Sequence, residues 1–236
     1  MAHGIRMSRP PMIVLHHLNN SRSQRVLWLL EELGVEYEVR RYERDKTTML
    51  APPELRAVHP LGKAPIVTDG DLTLVESGAI LEYLVGRYGE GRFIPAAGTP
   101  ERLRYTFWLH YAEGSLMPPL LLAFVALRIE AAPMPFFVRP VAKGIVAKLR
   151  EGFIAPQLKT HLGYIESEIG KTPWFAGQEL TAADIQMSFP LEAARSRAGI
   201  TPEKEPHIHD WLKRIHARPA YKQALAEGGP YDYAGE

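Results

Sequence analysis

The chain has 236 residues, 46% hydrophobic and 23% charged, which is ordinary globular usage and excludes a disordered chain. Its 28 basic and 27 acidic residues leave a formal charge of +1, so no global field recommends nucleic acid or an anionic membrane as the partner. There is no cysteine, which excludes disulfides, thiolate metal sites and a protein-borne thiol nucleophile; any sulfur chemistry must use a borrowed thiol.

Residues 1–11 carry no periodic apolar pattern and read as a mobile leader, without the apolar core of a signal peptide. No apolar run is expected to approach the roughly 20 residues that span a bilayer, and the expected compartment is the cytoplasm. Residues 12–18 form a short apolar run followed by Asn19-Asn20-Ser21, a strand entering a loop. From Ser23 to Leu33 the apolar positions Val26, Leu27, Leu29, Leu30 and Leu33 recur at helical spacing, and Gly34 is placed to end the helix in the left-handed conformation. Residues 35–42 read as a second strand, which completes a βαβ unit with parallel strands.

Residues 52–58 suggest a short helix or turn, and residues 64–68 a strand. Asp69-Gly70-Asp71 turns the chain into a returning strand over residues 72–75, and residues 76–88 read as a helix. Residues 89–100, rich in Gly and Pro, look like a linker. After them no strand is expected. A long helix over residues 101–127 is interrupted or kinked near Pro118-Pro119, and a second helical region over residues 138–169 has Pro156 as a bend. Helices over residues 181–197 and 207–214 complete this half, with Thr181 and Asp184 as a capping pair. The predicted organisation is a βαβ–ββα domain over residues 12–88, a linker, and an all-helical domain over residues 101–225.

Pro65 stands at the entrance to a strand that should be central, although proline cannot donate to a ladder. A cis Ala64-Pro65 bond would turn the chain and present the Ala64 backbone N–H and C=O to an extended peptide. Glu76-Ser77-Gly78 opens a helix, where free N–H groups favour a carboxylate, the Ser77 hydroxyl adds a hydrogen bond and Glu76 can pair with an ammonium. Together these groups suit an amino-acid head group. His16 and His17 are neighbours on a strand and point to opposite faces, which makes them a poor metal pair and gives neither a clear claim as a base.

Gly62-Lys63-Ala64-Pro65 and Glu76-Ser77 within a βαβ–ββα domain, followed by a helical half containing Trp174-Phe175-Ala176-Gly177 and Leu180-Thr181-Ala182-Ala183-Asp184-Ile185, resemble the glutathione transferase family. The resemblance spans residue 12 to about residue 225 and is closest to cytosolic, bacterial-type members with a serine-type loop. It implies a thioredoxin-like glutathione-binding domain followed by a helical-bundle domain. Glu76 and Ser77 would hold the γ-glutamyl head, Ala64 beside Pro65 the cysteinyl backbone, and Lys63 the glycine carboxylate.

The family places a Tyr, Ser or Cys in the loop after the first strand to meet the glutathione sulfur. Here Ser21 is the first choice, Ser23 the second and Asn20 the third, with Arg22 as a nearby cation. The co-substrate pocket would be lined from the long helix by Tyr105, Trp108, Tyr111, Glu113, Met117 and Phe124. Thr181 and Asp184 would be structural. The implied activity is conjugation of glutathione to small hydrophobic electrophiles in detoxification, with glutathione as co-substrate, no metal and no other cofactor, in a homodimer. Glutathione-dependent peroxide or disulfide reduction, and a non-catalytic glutathione-binding stress module, remain as alternatives.

Overall fold

The structure, a computed structural model, describes residues 12–234, so the expected leader at residues 1–11 lies outside the described residues. Strand β1 (Ile13–Leu18), helix α1 (Ser23–Leu33) and strand β2 (Tyr37–Tyr42) form the parallel unit, with Ile13 opposite Tyr37 and Leu18 opposite Tyr42. Gly34 ends α1 at φ 69°, where a side chain would strain the backbone, and its N–H reaches the carbonyls of Leu30 and Glu31.

Helix α2 (Pro53–Val58) leads to the hairpin β3 (Ile66–Asp69) and β4 (Leu72–Val75), and α3 (Ser77–Tyr88) follows. β3 runs antiparallel to both β1 and β4, giving the order β2-β1-β3-β4. β1 is buried along its whole length. α1 is buried nearly all round because α3 and two helices of the second half pack against it. Its Leu27, Trp28, Leu29 and Leu30 are fully enclosed, and each such side chain contributes roughly 1.5–3 kcal/mol of burial.

The second half is helical. Helix α4 (Pro100–Tyr111) continues through a π turn (Ala112–Leu116) into α5 (Met117–Ala131). Helix α6 (Arg139–Leu149) continues in the same way through a π turn (Arg150–Ile154) into α7 (Ala155–Ile169). A helical proline lacks an N–H and its ring clashes with the carbonyl four residues back. Those carbonyls belong to Gly114 and Ser115 for Pro118 and Pro119, and to Gly152 for Pro156. All three sit in the widened turns. The predicted interruptions are therefore turns wound one residue wider, and both rods share the spacing Glu-Gly-x-x-x-Pro, at Glu113 to Pro118 and at Glu151 to Pro156.

Helices α8 (Ala182–Ala198), α9 (Pro206–His216) and α10 (Pro219–Gly228) complete the fold. α10 was not predicted as a separate helix, and it packs on α1. The stretch between α3 and α4 is pinned rather than loose: Arg92 donates to the Leu33 carbonyl at 3.0 Å and the Phe93 carbonyl accepts from Ala182 N–H at 2.9 Å. One hydrophobic cluster joins Leu15 and Trp28 of the first half to Met187 and Trp211 of the second.

One expectation from composition is corrected. The rod over Pro100–Ala131 contains an 18-residue window of mean hydropathy 1.4, long and apolar enough to cross a membrane. Part of that apolar surface supplies the core, through Leu116, Leu120, Ala123 and Ala126, while Leu121, Leu122, Val125 and Leu127 are exposed.

Candidate active site

A cavity of about 510 Å³ opens where the two halves meet. Its first-half wall comes from Ser21 and Arg22 before α1, Arg44 after β2, Gly62 to Pro65 before β3, and Glu76-Ser77 at the start of α3. The second half contributes Glu113 and Leu121. The Ala64-Pro65 bond is cis, as expected. Gly62 has φ 55°, and a Cβ there would sit 2.5 Å from Arg56 Cγ, so the loop that brings Lys63 and Ala64 to the cavity depends on glycine.

Glu76 precedes α3 at φ 70° and ψ 116°, an unusual conformation for a residue with a side chain. Ser77 is buried, and its Oγ accepts from Arg25 Nη2 at 2.8 Å. Arg25, also fully buried, donates to Glu113 Oε1 at 2.6 Å and to the Gln186 carbonyl at 2.6 Å. Arg22 Nε donates to both Glu113 oxygens, at 2.9 and 3.0 Å. Burial alone would raise the Glu113 carboxyl, but the Arg25 and Arg22 guanidiniums outweigh it and hold the group below the usual carboxylate range. Burial pushes the Arg25 guanidinium below its ordinary range, and the Glu113 carboxylate beside it works in the opposite direction.

Ser21 is 4% exposed, with its Oγ 2.7 Å from Ser23 Oγ and receiving Ser23 N–H at 3.2 Å. The arrangement offers a hydroxyl beside a helix N-terminus, two guanidiniums paired with the Glu113 carboxylate, and a backbone edge for an extended peptide.

The family profile described as Glutathione S-transferase, N-terminal domain matches residues 10–86, and the one described as Glutathione S-transferase, C-terminal domain matches residues 154–219. Glutathione S-transferase 3 of Schizosaccharomyces pombe is 38% identical over 90% of this chain and 86% of its own length. The chain belongs to the glutathione S-transferase family. Glutathione S-transferase 1 of Saccharomyces cerevisiae is 34% identical over 89% of this chain and 93% of its own. The crystal structure of a glutathione S-transferase from Actinobacillus pleuropneumoniae is 35% identical, covers 94% of this chain and 96% of its own, and has a TM-score of 0.79.

In this glutathione S-transferase fold the predicted residues separate into three groups. Ser21, Arg22, Lys63, Ala64, Pro65, Glu76, Ser77 and Glu113 line the one cavity. Ser23 lies behind Ser21, fully buried, and Asn20 faces away, with Nδ2 donating to Asp232 Oδ2 at 2.7 Å and Oδ1 accepting from Asp232 N–H at 2.8 Å.

The predicted co-substrate stripe of Tyr105, Trp108, Tyr111 and Met117, with Phe124, does not line the cavity, and that expectation is corrected. Tyr105, Trp108 and Met117 are buried in the core. Trp108 packs on Tyr164 and Phe175, Tyr111 bonds through its hydroxyl to His161, and Phe124 lies under the Arg197 guanidinium. A count at 3.6 residues per turn carries one face straight through residues 112–116, whereas the π turn shifts the phase, so that beyond the predicted Glu113 it is Leu121 rather than Met117 or Phe124 that reaches the cavity. Sequence reasoning also missed Arg25, Arg44, Met49 and Leu50. Arg25 reads as a helix surface residue until α3 and α8 are placed around it, and the other three stand in a loop with no periodic signal.

Proposed function

We propose that this chain binds glutathione extended along the Ala64-Pro65 edge and joins its sulfur to small hydrophobic electrophiles. The observation that carries the reading is one cavity that holds the Ser21 hydroxyl, the Ala64 backbone, the Glu76-Ser77 helix start and the Lys63 and Arg44 cations together. Glu76 and Ser77 hold the γ-glutamyl head, the Ala64 backbone pairs with the cysteinyl residue, and Lys63 with Arg44 meets the glycine carboxylate.

Ser21 donates a hydrogen bond to the sulfur, assisted by the start of α1 and by Arg22. A free thiol has a pKa of about 8.5, so a drop of roughly two units makes the thiolate the main species near neutrality. The thiolate attacks the electrophilic carbon, a C–S bond forms, and the leaving group departs with its electron pair. Leu121, on the rod facing the glutathione wall, offers an apolar surface to the electrophile. The proposed chemistry invokes no metal, and detoxification in the cytoplasm is the role that fits it.

Turnover of a halogenated nitroaromatic, compared with an organic hydroperoxide and hydroxyethyl disulfide, tests the reaction class. Ser21→Ala is expected to lower kcat/KM roughly 10- to 100-fold, the range of one hydrogen bond to a charged group, with glutathione affinity by calorimetry nearly intact. Unchanged turnover would remove Ser21 from the role.

The reading includes a homodimer. Leu103, Phe107, Val141 and Ile145 are exposed on α4 and α6, with Phe136 and Phe137 between the rods, more apolar surface than isolated surface residues explain. Light scattering should give twice the chain mass; the mass of a single chain refutes the dimer.

A further inference from the structure

His17, Ser23 and Ser21 form an unbroken line of polar contacts from β1 to the cavity wall. His17 Nδ1 lies 3.0 Å from Ser23 Oγ, which lies 2.7 Å from Ser21 Oγ. All three side chains are buried, and of the three only Ser21 reaches the cavity. Leu18 N–H donates to Ser23 Oγ at 3.2 Å, and Ser23 Oγ is in turn placed to donate to the Leu18 carbonyl at 3.2 Å. Ser21 Oγ receives Ser23 N–H.

The protons in this line can be counted. The imidazole also hydrogen bonds to the Gly228 backbone, and because that bond favours the charged ring its partner is the carbonyl, at the last turn of α10. Nδ1 faces Ser23, so the ring nitrogen left for this carbonyl is Nε2, and it carries the hydrogen. Burial and the Arg41 cation, the charged group that faces it, keep the ring neutral, so Nδ1 is an acceptor. Ser23 has two acceptors within reach, and Nδ1 at 3.0 Å is nearer than the Leu18 carbonyl at 3.2 Å; with its single proton on the line to Nδ1, its oxygen becomes the acceptor for Ser21, and the Ser21 proton is drawn inward.

A thiolate in the cavity needs that same proton. If Ser21 turned outward alone, two hydroxyl oxygens 2.7 Å apart would face each other with no hydrogen between them. The contact survives only if Ser23 turns its own proton from Nδ1 to Ser21. A neutral thiol supplies a third proton for the three contacts from sulfur to ring; a thiolate leaves two.

We propose that His17 is a positioning residue for the Ser21 hydroxyl: it holds the Ser23 proton at Nδ1 in the empty site, and bound thiolate turns both hydroxyl protons toward the sulfur, leaving Nδ1 without its donor. This rests on the reading that Ser21 faces the glutathione sulfur. It also makes Ser23 part of the machinery from behind, although Ser23 does not touch the cavity.

Nitrogen NMR of isotope-labelled histidine in the full chain tests it. Glutathione, bound as thiolate, should move the His17 Nδ1 signal toward that of an unbonded ring nitrogen, whereas S-methylglutathione, which cannot ionise, should leave it in place. In His17→Leu the Ser23 proton is free for Ser21. The bound thiol, followed by the ultraviolet absorbance of the thiolate, should then ionise about three- to tenfold more readily, the range of one hydrogen bond. In a Ser23→Ala background the same substitution should change nothing.

An Nδ1 signal that ignores glutathione while calorimetry records binding overturns the proposal, and the wild-type spectra decide this even if His17→Leu does not fold. A His17→Leu effect that survives unchanged in Ser23→Ala also overturns it. If Ser21→Ala leaves ionisation of the bound thiol unaltered, the underlying assignment of Ser21 fails and takes this inference with it.

Discussion

His17 is enclosed on β1, where burial, with the Arg41 cation acting in the same direction and the Gly228 hydrogen bond against it, pushes the ring down to about 4 from 6.5. Between these values the unfolded chain binds a proton that the folded chain refuses. Stability from this group is therefore present above about pH 6.5, falls as pH drops toward 4, and then levels; the whole shift corresponds to roughly 3 kcal/mol. Urea unfolding at pH 7 and at pH 5 should show a smaller difference for His17→Leu than for the wild type, and equal differences would contradict this account. Single residues were legible where a short contiguous motif sets local geometry, as in Lys63-Ala64-Pro65 and Glu76-Ser77. Glu76, at φ 70°, bears a conformational cost of about 1–3 kcal/mol that no composition signals, and the contact of His17 with Ser23 depends on how the chain turns between residues 18 and 23.

Helix α8 shows how much an element can announce in advance. Thr181 and Asp184 were legible as a capping pair, and the structure has the full capping box. Asp184 has further duties that are not local: it accepts from Phe175 N–H and Thr181 N–H at 2.9 Å, Thr181 Oγ1 at 3.0 Å and Trp211 Nε1 at 3.3 Å. Burial lifts its carboxyl to about 6 against the pull of these four donors. Asp184→Ala orphans all four, and a loss of about 3 kcal/mol is expected, read as a lower urea midpoint at unchanged slope. A shift within a few tenths of a kcal/mol would mean that water replaces the carboxylate. Elements with a strong period or a clear cap, such as α1 and α8 respectively, were placed nearly to the residue. The two long rods were located, but the winding inside them was not, because periodicity assumes a constant winding and proline changes it.

Arg25 ties the molecule together. It stands on α1, and its partners are Ser77 of α3, Glu113 of the rod and Gln186 of α8, so one buried cation spans both halves. Two domains could be read from a strand-rich half, a Gly-Pro stretch and a helix-rich half, whereas the continuous core and this charge network could not, since they depend on contacts between distant segments. Removing the carboxylate leaves a buried guanidinium short of its counter-charge, and Glu113→Ala is expected to cost about 3–5 kcal/mol. Calorimetry should record a lower transition that is still single for both halves; two separate transitions would show that they fold independently.

The winding of the first rod also reaches the chemistry. Glu113 sits in the widened turn, and Pro118, exposed and outside the cavity, is with Pro119 a residue whose ring rules out regular winding there. One residue more or less in that turn is an azimuth of about 100°. The compass bearing of the cavity's carboxylate is thus set from a full turn further along the helix, by side chains that have no atom in the cavity wall.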